Sequence, residues 1–483
     1  MNSVRKEFQA AQSAALREDV KKDSDRLRYH LMPPVGWLND PNGLCEYKGN
    51  YHIFYQYTPG EPNGHDHRGW GHYVTKDFIH YEELDDTFVP DSVADGKGSY
   101  SGSALIRDGK MHLFFTGNNK IPGDYDYINE GRTHWVLHSE SEDGKHFTEK
   151  EVLLKNADYP EYLSCHVRDP KLIEENGKTY MVLGARTKDS EGQVEVFESE
   201  NLKDWKHAST IKPEKPFGYM FECPDLFDLD EHRILITCPQ GVKTEGINYE
   251  NIYQNGWFEV KGPLDKDQSV WPFTELDYGF DFYAPQSFED EKGRRILIGW
   301  MGIPDADYTN PTIEKNWQHA LTLPRVLSWK NNSIYQQPIE ELKELREEEI
   351  SFDLKAGECI ELPSRVMELD LAVEDKDFSI DLRGDVKLTY DKAEEVFALH
   401  LGKSGYGRDV RHVKIADLHR IQIFSDTSSL EIFLNDGEKV LSTRLYDQET
   451  DRKLCTSIPL AGKAWSLSGF KIEEKLDKED PTI

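Results

Sequence analysis

Three acidic residues lie in similar short phrases at distant points of the chain. Asp40 stands in Asn-Asp-Pro, Asp169 in Arg-Asp-Pro and Glu222 in Glu-Cys-Pro. A proline has no N–H, fixes its own φ and restricts the residue before it, so Pro41 is expected to hold Asp40 extended. Taken alone, Asn-Asp-Pro is equally typical of an Asx turn at the end of a strand. Further observations must separate the two interpretations.

The chemistry open to these acids depends on whether the fold brings them together. Like charges repel and burial penalises them, so a stability argument does not explain three adjacent carboxylates. Crowding of this kind is how an active site keeps one acid ionised and another protonated at neutral pH. Asp40, Asp169 and Glu222 would then form a site for acid–base catalysis.

A repeated hairpin pattern predicts how the chain positions the acids. A turn followed by aromatic and β-branched residues recurs at roughly the spacing of a propeller blade. Two hairpins per repeat and five repeats predict a five-bladed β-propeller. The alternative, a β-sandwich of similar length, gives no reason for such regular self-similarity. The hairpins lie at 47–55, 107–115, 175–183, 230–236 and 291–298, and a second turn phrase recurs at 75–81, 141–147 and 199–205.

A short phrase precedes each of the five hairpins. If the repeats are blades, these phrases occupy equivalent positions on the innermost strands, and equivalent positions converge on the central axis at one end. The three acids would then surround a single pocket. The phrases are Asn39-Asp40-Pro41, Tyr100-Ser101-Gly102-Ser103, Arg168-Asp169-Pro170, Glu222-Cys223-Pro224-Asp225 and Tyr283-Ala284-Pro285-Gln286.

Six motifs in order resemble glycoside hydrolase family 32, and the resemblance runs from about residue 27 to near the C-terminus. One tripeptide would be weak evidence, but six at blade spacing are specific. Residues 30–36 and 217–221 are similar to the bacterial intracellular sucrose-6-phosphate hydrolase branch in particular. The motifs are Trp-Leu-Asn-Asp-Pro-Asn-Gly from Trp37, Phe-Tyr-Gln-Tyr from Phe54, Trp-Gly-His from Trp70, Tyr-Ser-Gly-Ser from Tyr100, Arg-Asp-Pro-Lys from Arg168 and Glu-Cys-Pro-Asp-Leu from Glu222.

The resemblance implies a retaining glycosidase, in which a carboxylate nucleophile lies about 5 Å from the general acid. It implies Asp40 as the nucleophile, Glu222 as the general acid/base and Asp169 as a transition-state stabiliser that binds hydroxyls of the fructosyl ring. The residue context agrees, because the apolar residues before Glu222 would keep its carboxyl protonated. Arg168 would favour the ionised form of Asp169. A buried structural ion pair between Arg168 and Asp169 is the alternative interpretation.

Further residues of these motifs are expected to complete the pocket. Amides and hydroxyls bind sugar hydroxyls, and aromatic faces cover the apolar side of a sugar ring. Burial in the core is the competing interpretation for each aromatic residue, and the resemblance favours the pocket for Trp37 and Trp300. His72 is expected to be a packing histidine. The predicted substrate-binding residues are Trp37, Leu38, Asn39, Gln56, Trp70, Tyr100, Ser101, Arg168, Tyr283 and Trp300.

No metal site and no cofactor is predicted. His65, Asp66 and His67 could bind an ion, but their Gly/Pro/Asn-rich loop suggests exposure. No glycine-rich loop that would hold a nucleotide's phosphates is present. The net charge of −31 argues against nucleic-acid binding, and no apolar run approaches the length of a membrane span. The expected partner is a small-molecule sugar, and the oligomeric state stays open, with a homodimer as one option.

The cysteines and the N-terminal residues indicate a cytoplasmic protein. The cysteines show no CxxC pair and no zinc spacing, and we interpret them as buried free thiols in a reducing compartment. Residues 1–28 are too charged for a signal peptide and predict an amphipathic surface helix. The cysteines are Cys45, Cys165, Cys223, Cys238, Cys359 and Cys455.

The chain changes its pattern near residue 336. Residues 29–335 carry the five repeats, and residues 336–349 have the helical spacing of a connector. Residues 350–483 alternate as half-buried strands do, with a hairpin around 435–438. The sequence therefore predicts an all-β fold, with a short N-terminal helix, a five-bladed β-propeller as catalytic domain and a C-terminal β-sandwich in a supporting role.

The activity that the resemblance implies is that of a retaining β-fructofuranosidase acting on sucrose or sucrose 6-phosphate. Fructosyl transfer to an acceptor sugar, hydrolysis of fructans such as inulin or levan, and a non-catalytic sugar-binding propeller are the alternatives. We predict a preference for sucrose 6-phosphate, whose phosphate would need local cations because the global charge offers no attraction. The candidate cations are Arg68, Lys97, Arg132, His166, Arg186 and His319.

Overall fold

Tight turns built on left-handed residues explain why the chain folds into hairpins. The computed structural model describes residues 3–65 and 67–475. In the second predicted hairpin, Asp108 and Gly109 have φ of 52° and 75°. Two successive residues of positive φ form a turn whose twist matches that of the flanking strands, so Arg107 pairs directly with Lys110. Glycine is favoured at position 109 because of the positive φ. Lack of space is not the reason, because an added Cβ would meet no atom within 4 Å.

The predicted hairpins form the first two strands of five sheets, which confirms the β-propeller. The innermost strands contact one another in ring order, and the last sheet closes on the first. We number the sheets as blades 1 to 5 in chain order. Their strands, from the axis outwards, are Gly36–Tyr47, Asn50–Thr58, Gly69–Thr75 and His80–Glu83 in blade 1; Gly98–Arg107, Lys110–Lys120, Arg132–Ser141 and Glu151–Leu154 in blade 2; Leu163–Glu175, Lys178–Thr187, Gly192–Ser199, Lys206–Pro213 and Gln268–Val270 in blade 3; Met220–Leu229, His232–Gln240, Gly256–Glu259 and Thr274–Glu275 in blade 4; and Tyr283–Glu289, Arg295–Met301, Arg325–Lys330 and Ser333–Pro338, with Ala320–Leu321 beside the second strand, in blade 5.

Both faces of each blade are buried, because successive residues of a strand point to opposite neighbours. Ile53 packs in the apolar cluster between blades 1 and 5, whereas Phe54 packs between blades 1 and 2. Leu113 likewise faces blade 1, and Phe114 faces blade 3. The hairpin strands therefore read as continuous apolar and aromatic runs rather than as alternating ones.

The C-terminal strands form two sheets that pack face to face, as predicted for a β-sandwich. Leu430, Ile432 and Leu434 alternate along one strand and enter the shared apolar core. Their strand pairs with Lys439–Arg444 through the predicted hairpin. In sheet order, the first sheet contains Arg346–Leu354, Leu460–Leu467, Met367–Ala372, Arg420–Asp426, Ser429–Leu434 and Lys439–Arg444, and the second contains Cys359–Glu361, Lys453–Thr456, Phe378–Leu382, Val386–Asp391, Val396–His400 and Val410–Lys414.

A 3-10 helix at Glu340–Leu345 lies within the predicted connector, residues 336–349. Its Leu342 and Leu345 are buried in the cluster that also holds apolar residues of blades 1 and 5. The connector therefore packs against the propeller, and the exact domain boundaries stay predictions. Further 3-10 helices are Asn156–Asp158, Pro311–Lys315, Lys403–Gly405 and Asn435–Gly437.

The N-terminal segment forms two short helices, Ser3–Ala11 and Ala14–Val20, rather than the single surface helix expected. Arg17 is only 1% exposed, and its guanidinium donates to both carboxylate oxygens of Glu83 at 2.7 and 2.8 Å. The sequence pattern missed this packing because the partner belongs to the outermost strand of blade 1. None of the helices in the described part of the chain is long and apolar enough to cross a membrane.

Two segments from far along the chain extend blade 1 on both sides. Trp317–Gln318 pairs in parallel with Gly36 and Trp37 of the innermost strand. Lys471–Glu473 pairs in parallel with the outermost strand, His80–Glu83. The sequence predicts the C-terminal residues in the sandwich, but this last strand returns to the propeller. It covers an edge whose N–H and C=O groups would otherwise be unpaired.

Two cysteines are joined in a disulfide, so the expectation of six free thiols is wrong. Cys359 and Cys455 lie directly opposite each other on paired strands and form the bond. They are 96 positions apart in the sequence, and neither stands in a spacing that identifies a pair. The free and buried cysteines are Cys45, Cys165, Cys223 and Cys238.

Candidate active site

Each innermost strand leaves the regular ladder near the phrase that precedes its hairpin. The pairing register shifts between Leu38 and Pro41 in blade 1, and between Glu222 and Asp225 in blade 4. Bulges of this kind bend a strand and re-aim its side chains, and they tolerate a proline that lacks an N–H. The left-handed residues at the bulges of blades 3, 4 and 5 are Asp169, Cys223 and Ala284, with φ of 64°, 48° and 46°.

The bulges surround one cavity of about 730 Å³. All five innermost strands contribute to its wall, and Asp40, Asp169 and Glu222 line it together. The convergence expected from the repeat is therefore present. Of the residues predicted to bind sugar, those that line the cavity are Trp37, Asn39, Gln56, Tyr100, Ser101, Arg168, Tyr283 and Trp300.

Two residues predicted to bind sugar, Leu38 and Trp70, do not line the cavity. Leu38 is fully buried in the apolar cluster between blades 1 and 5, because it points away from the side that carries Trp37 and Asn39. Trp70 is also fully buried, and its indole packs in the core between blades 1 and 2. Its Nε1 donates to the Tyr100 carbonyl oxygen at 3.1 Å, so it supports the cavity wall from behind.

Asp40 is held by donors on both carboxylate oxygens. The Ser101 hydroxyl donates to Oδ2, and Asn39 Nδ2 donates to Oδ1 at 3.0 Å. Gln56 connects these two donors, since its Oε1 accepts from Asn39 at 2.6 Å and its Nε2 donates to Ser101 at 2.8 Å. Burial raises the pKa of Asp40, and the hydrogen bonds from Ser101 and Asn39 partly oppose that shift. The network fixes the carboxylate in one orientation.

Burial has a larger effect on the pKa of Asp169 than the adjacent Arg168 does. Burial raises the pKa of Asp169 to about 7, and the negative charge of Glu222 adds to the rise. Arg168 opposes the shift, but its Nε lies 3.8 Å from Asp169 Oδ2, so burial prevails. The Cys223 N–H donates to the same oxygen at 2.9 Å. Arg168 therefore favours the ionised form of Asp169, as expected, but burial outweighs its effect.

The Cys223 thiol lies between two of the three acids. Its Sγ is 3.6 Å from Asp40 Oδ2 and 3.7 Å from Asp169 Oδ2. Burial raises the pKa of this thiol well above its ordinary value, so the group stays protonated. Cys223 therefore contacts both carboxylates as an uncharged thiol.

We expect Asp169→Asn to be more stable than the wild type at about pH 8, with an advantage that shrinks toward pH 5. The pKa of about 7 in the folded protein lies above the ordinary value of 3.8. The folded state therefore holds more protons than the unfolded state between these values, and its stability falls as the pH rises through them. The amide variant has no such loss. Thermal unfolding at both pH values measures the difference in Tm.

The matched control is Asp126→Asn, which should have the opposite effect. Backbone N–H groups of Ile128 and Asn129 lower the pKa of Asp126 to about 2, so this carboxylate is stabilising above the ordinary pKa. Its amide variant should lose stability at both pH values. A Tm difference for Asp169→Asn that is the same at pH 5 and pH 8 would contradict the assigned burial effect.

The Glu222 carboxyl is surrounded by donors, not by the apolar residues that precede it. Arg168 Nη2 donates to Oε1 at 2.5 Å, while Gln240 Nε2 and the Tyr283 hydroxyl donate to Oε2 at 2.7 Å each. Phe217 is buried in the core between blades 3 and 4. The expected apolar setting is therefore wrong for the carboxyl itself. Gln240, which the sequence analysis missed, comes from the end of the second strand of blade 4.

Arg168 connects the acid of blade 4 to blade 3. Its 2.5 Å contact with Glu222 is much shorter than its 3.8 Å contact with Asp169, so a simple Arg168–Asp169 ion pair does not describe it. Arg168 Nη1 lies 2.8 Å from His166 Nδ1. Burial lowers the pKa of His166 to about 3, so this neutral ring accepts from Arg168.

His319 and Trp300 line the cavity and have buried ring nitrogens without hydrogen-bond partners. His319 is 4% exposed and lies edge-on between Trp37 and Trp300, at ring distances of 4.4 and 5.0 Å. Neither ring nitrogen of His319 nor Nε1 of Trp300 has a hydrogen-bond partner. Burial lowers the pKa of His319 well below its ordinary value, so the ring is neutral. Leaving these buried nitrogens unpaired costs free energy.

The candidate cations divide between the cavity and its surroundings. Arg68, Arg132, His166 and His319 line the cavity, whereas Lys97 and Arg186 do not. His166 and His319 are neutral for the reasons given above. Lys120, which the sequence analysis did not include, also lines the cavity.

One histidine group outside the cavity has the composition of a metal site. The described residues place ligand atoms of His112, His138 and Glu140 within 4.8 Å of one another. Blade 1 repeats the histidine pair without the acid, as His52 and His72, and the two nitrogens are 3.0 Å apart in both blades. We therefore interpret the pairs as packing hydrogen bonds, as expected for His72. His65 is exposed, and Asp66 lies outside the described residues.

Comparison with protein-family models decides the assignment of the chain. The model for the N-terminal domain of glycosyl hydrolases family 32 matches residues 30–338, and the model for the family's C-terminal domain matches residues 336–461. The chain belongs to glycoside hydrolase family 32. It is therefore a glycoside hydrolase, and the family resemblance seen in the six motifs is confirmed.

Other members of family 32 match over nearly the whole chain. The chain is 41% identical to a sucrose-6-phosphate hydrolase of Bacillus subtilis over 444 residues, which cover 88% of this chain and 90% of the relative. It is 36% identical to one of Klebsiella pneumoniae, with coverage of 93% and 95%. The solved structure of a Lactobacillus gasseri sucrose-6-phosphate hydrolase superposes with a TM-score of 0.87 at 30% identity, covering 95% of this chain and 97% of the other.

Proposed function

We propose that this family 32 enzyme is a retaining β-fructofuranosidase that cleaves sucrose 6-phosphate and sucrose. The observation that carries the proposal is the meeting of Asp40, Asp169 and Glu222 in one cavity, each with different partners. The names of the matched relatives support the substrate class. The three side chains differ in their contacts, which suits three different roles in one reaction.

Asp40 is the proposed nucleophile. Its carboxylate attacks the anomeric carbon of the fructosyl unit, and the bond to the glucosyl oxygen breaks as a covalent fructosyl ester forms. The donors on both oxygens, Ser101 and Asn39, hold the carboxylate in a fixed direction. A fixed nucleophile reduces the entropy that must be lost on the way to the transition state.

Glu222 is the proposed general acid and then the general base. As the acid, it gives a proton to the departing glucosyl oxygen; as the base, it takes a proton from the water that hydrolyses the ester on Asp40. Arg168, Gln240 and Tyr283 keep the carboxyl in place through both steps. The leaving glucosyl unit therefore lies on the side of the cavity formed by Glu222 and Arg168.

Asp169 is the proposed partner of the fructosyl hydroxyls. Hydrogen bonds from ring hydroxyls to a buried carboxylate strengthen as positive charge develops on the ring. Trp37 and Trp300 offer aromatic faces to the sugar, and His319 lies between them. These contacts would hold the ring over Asp40.

We expect the enzyme to have a kcat/KM for sucrose 6-phosphate at least about tenfold above that for sucrose, or about 1.4 kcal/mol. The phosphate would gain charge-assisted hydrogen bonds from cavity cations. The preference should weaken as salt rises, because exposed charges are screened. Initial rates on sucrose, sucrose 6-phosphate and inulin, at low and high ionic strength, measure it.

Three outcomes would change the assignment. Equal kcat/KM values for the two disaccharides would leave a general invertase, and a higher value for inulin would indicate a fructan hydrolase. Glucose released in excess of fructose at high sucrose would indicate transfer to an acceptor sugar. Absence of cleavage of all three would leave a sugar-binding propeller.

The cytoplasm is the proposed site of action. The support is the phosphorylated substrate that the names of the relatives indicate and the set of buried free cysteines. The disulfide between Cys359 and Cys455 is the feature that points instead to an oxidising compartment.

A further inference from the structure

We propose that Lys120 and Arg132 form a binding site for the phosphate on the glucosyl unit of the substrate. The proposal rests on the proposed function, which places the glucosyl unit beside Glu222 and Arg168. Both residues line the cavity, and both come from blade 2. The candidate cations named from the sequence include Arg132 but not Lys120. The two residues become neighbours only through the register of their strands, which the sequence does not show.

The two residues face each other directly across a pair of strands. Lys120 ends one strand, Arg132 begins the next, and their backbones pair. Like charges directly opposite each other destabilise a sheet. Cross-strand lysines elsewhere in the propeller avoid this cost, since Lys110 pairs with Glu140 and Lys178 with Glu198, at 2.7 Å or less.

No carboxylate in the described part of the chain neutralises the pair. Arg132 Nη1 donates to Asn118 Oδ1 at 3.0 Å, and its Nε is buried without any partner. The Lys120 ammonium lies over the Tyr127 ring, 5.4 Å from its centre. Burial also lowers the pKa of Arg132, which is the cost of holding an uncompensated guanidinium there. An anionic ligand beside the guanidinium would offset that cost.

The pair lies on the side of the cavity where the glucosyl unit is expected. Arg168, which holds Glu222, also contacts the His166 ring at 2.8 Å. His166 packs edge-on against His134, at 5.5 Å between ring centres. His134 Nε2 lies 3.5 Å from Arg132 Nη1. A continuous series of side-chain contacts therefore leads from the proposed acid to Arg132.

Positive and negative side chains lie on different sides of the cavity. Among the described residues, the cavity carboxylates outside the three proposed catalytic acids are Asp281, which is paired with Arg408, and Asp305. Both belong to segments next to strands of blade 5, which does not adjoin blade 2 in the ring. In a chain with a net charge of −31, the cations of blade 2 therefore form a local exception. A phosphate dianion would be drawn to this side of the cavity rather than to the side that carries Asp305.

The test is the binding of glucose 6-phosphate and glucose to the full-length protein, measured by calorimetry. We expect the wild type to bind glucose 6-phosphate at least about tenfold more tightly than glucose. The double variant Lys120→Gln/Arg132→Gln should bring the two affinities within about threefold of each other. Thermal unfolding checks that the variant is folded, and the single variants show whether either cation suffices.

Lys97→Gln is the matched control. It removes one positive charge, as each single variant does, at an exposed lysine just before blade 2, and this lysine does not line the cavity. It should retain the wild-type preference. An equal loss in this control would mean that general charge, not a site, attracts the phosphate, and would overturn the proposal. A double variant that keeps the preference would also overturn it.

The experiment separates this proposal from the proposed function. If the wild type cleaves sucrose but binds both sugars equally, the phosphate site fails and the fructofuranosidase stands. If neither disaccharide is cleaved while the phosphate preference depends on Lys120 and Arg132, the site stands and the proposed reaction fails. Turnover of sucrose 6-phosphate relative to sucrose should fall in the double variant by the same factor as the binding preference.

Discussion

Asp40→Ala should reduce kcat/KM on sucrose 6-phosphate by several orders of magnitude while leaving the fold intact. The variant removes the atom that would form the covalent ester, and nothing else in the cavity replaces it. The fold should survive because Asp40 points into the cavity and its hydrogen-bond partners, Ser101 and Asn39, remain linked through Gln56. Initial rates and thermal unfolding of the purified variant measure both effects.

Asp40→Asn is the control for shape. Asparagine can still accept from Ser101 and occupies the same volume, but an amide is not a competent nucleophile. It should be as inactive as the alanine variant. Activity of either variant within about tenfold of the wild type would mean that Asp40 does not carry the reaction.

Glu222→Ala should have a large effect that depends on the leaving group. Sucrose needs a proton on its departing oxygen, so most activity on it should be lost. Fructosides with good leaving groups need little protonation and should lose less. Added azide should partly restore turnover, because it attacks the ester on Asp40 without help from a base and gives fructosyl azide. Rates on both substrates, with and without azide, measure this pattern.

A neighbouring variant distinguishes the acid from its surroundings. Tyr283→Phe removes one donor to Glu222 but keeps the carboxyl. It should slow the reaction modestly on all substrates and show no response to azide. Equal losses for Glu222→Ala on good and poor leaving groups, with no rescue, would contradict its acid/base role.

The propeller could be predicted because its signals are local. A turn such as Asp108-Gly109 and the aromatic runs on either side of it lie within one short segment, and the segment repeats. The convergence of Asp40, Asp169 and Glu222 followed from the same repeat. The phrases that carry them mark the bulges, which a proline or a glycine permits at each innermost strand.

What the sequence could not supply depends on contacts between distant segments. Trp70 reads as a cavity residue, yet its indole is enclosed by neighbouring blades. The predicted apolar setting of the Glu222 carboxyl was wrong because Gln240 and Tyr283 approach it from other strands. The sequence suggested His319 as a candidate cation, but burial between two tryptophans keeps its ring neutral. In each case, the environment comes from residues that no local pattern connects.

The remaining differences between prediction and structure come from pairs of residues that are far apart in the sequence. The disulfide between Cys359 and Cys455 arises from strand register across 96 positions. The N-terminal helices are fixed by the buried ion pair between Arg17 and Glu83, whose two members give no joint signal in the sequence. Hydrophobic periodicity reports which face of an element is buried, but not which element covers it.

The two segments that flank blade 1 have a consequence for how the enzyme is made. The four strands of this blade leave the ribosome first, ending at Glu83, but its neighbours come from residues 317–318 and 471–473. The ring cannot close until blade 5 has emerged, and the outer edge at His80–Glu83 stays uncovered until residues 471–473 have emerged. An open strand edge on a nascent chain invites pairing with other chains. The first blade to be synthesised is therefore the last to be completed, and its outer edge needs protection in the meantime.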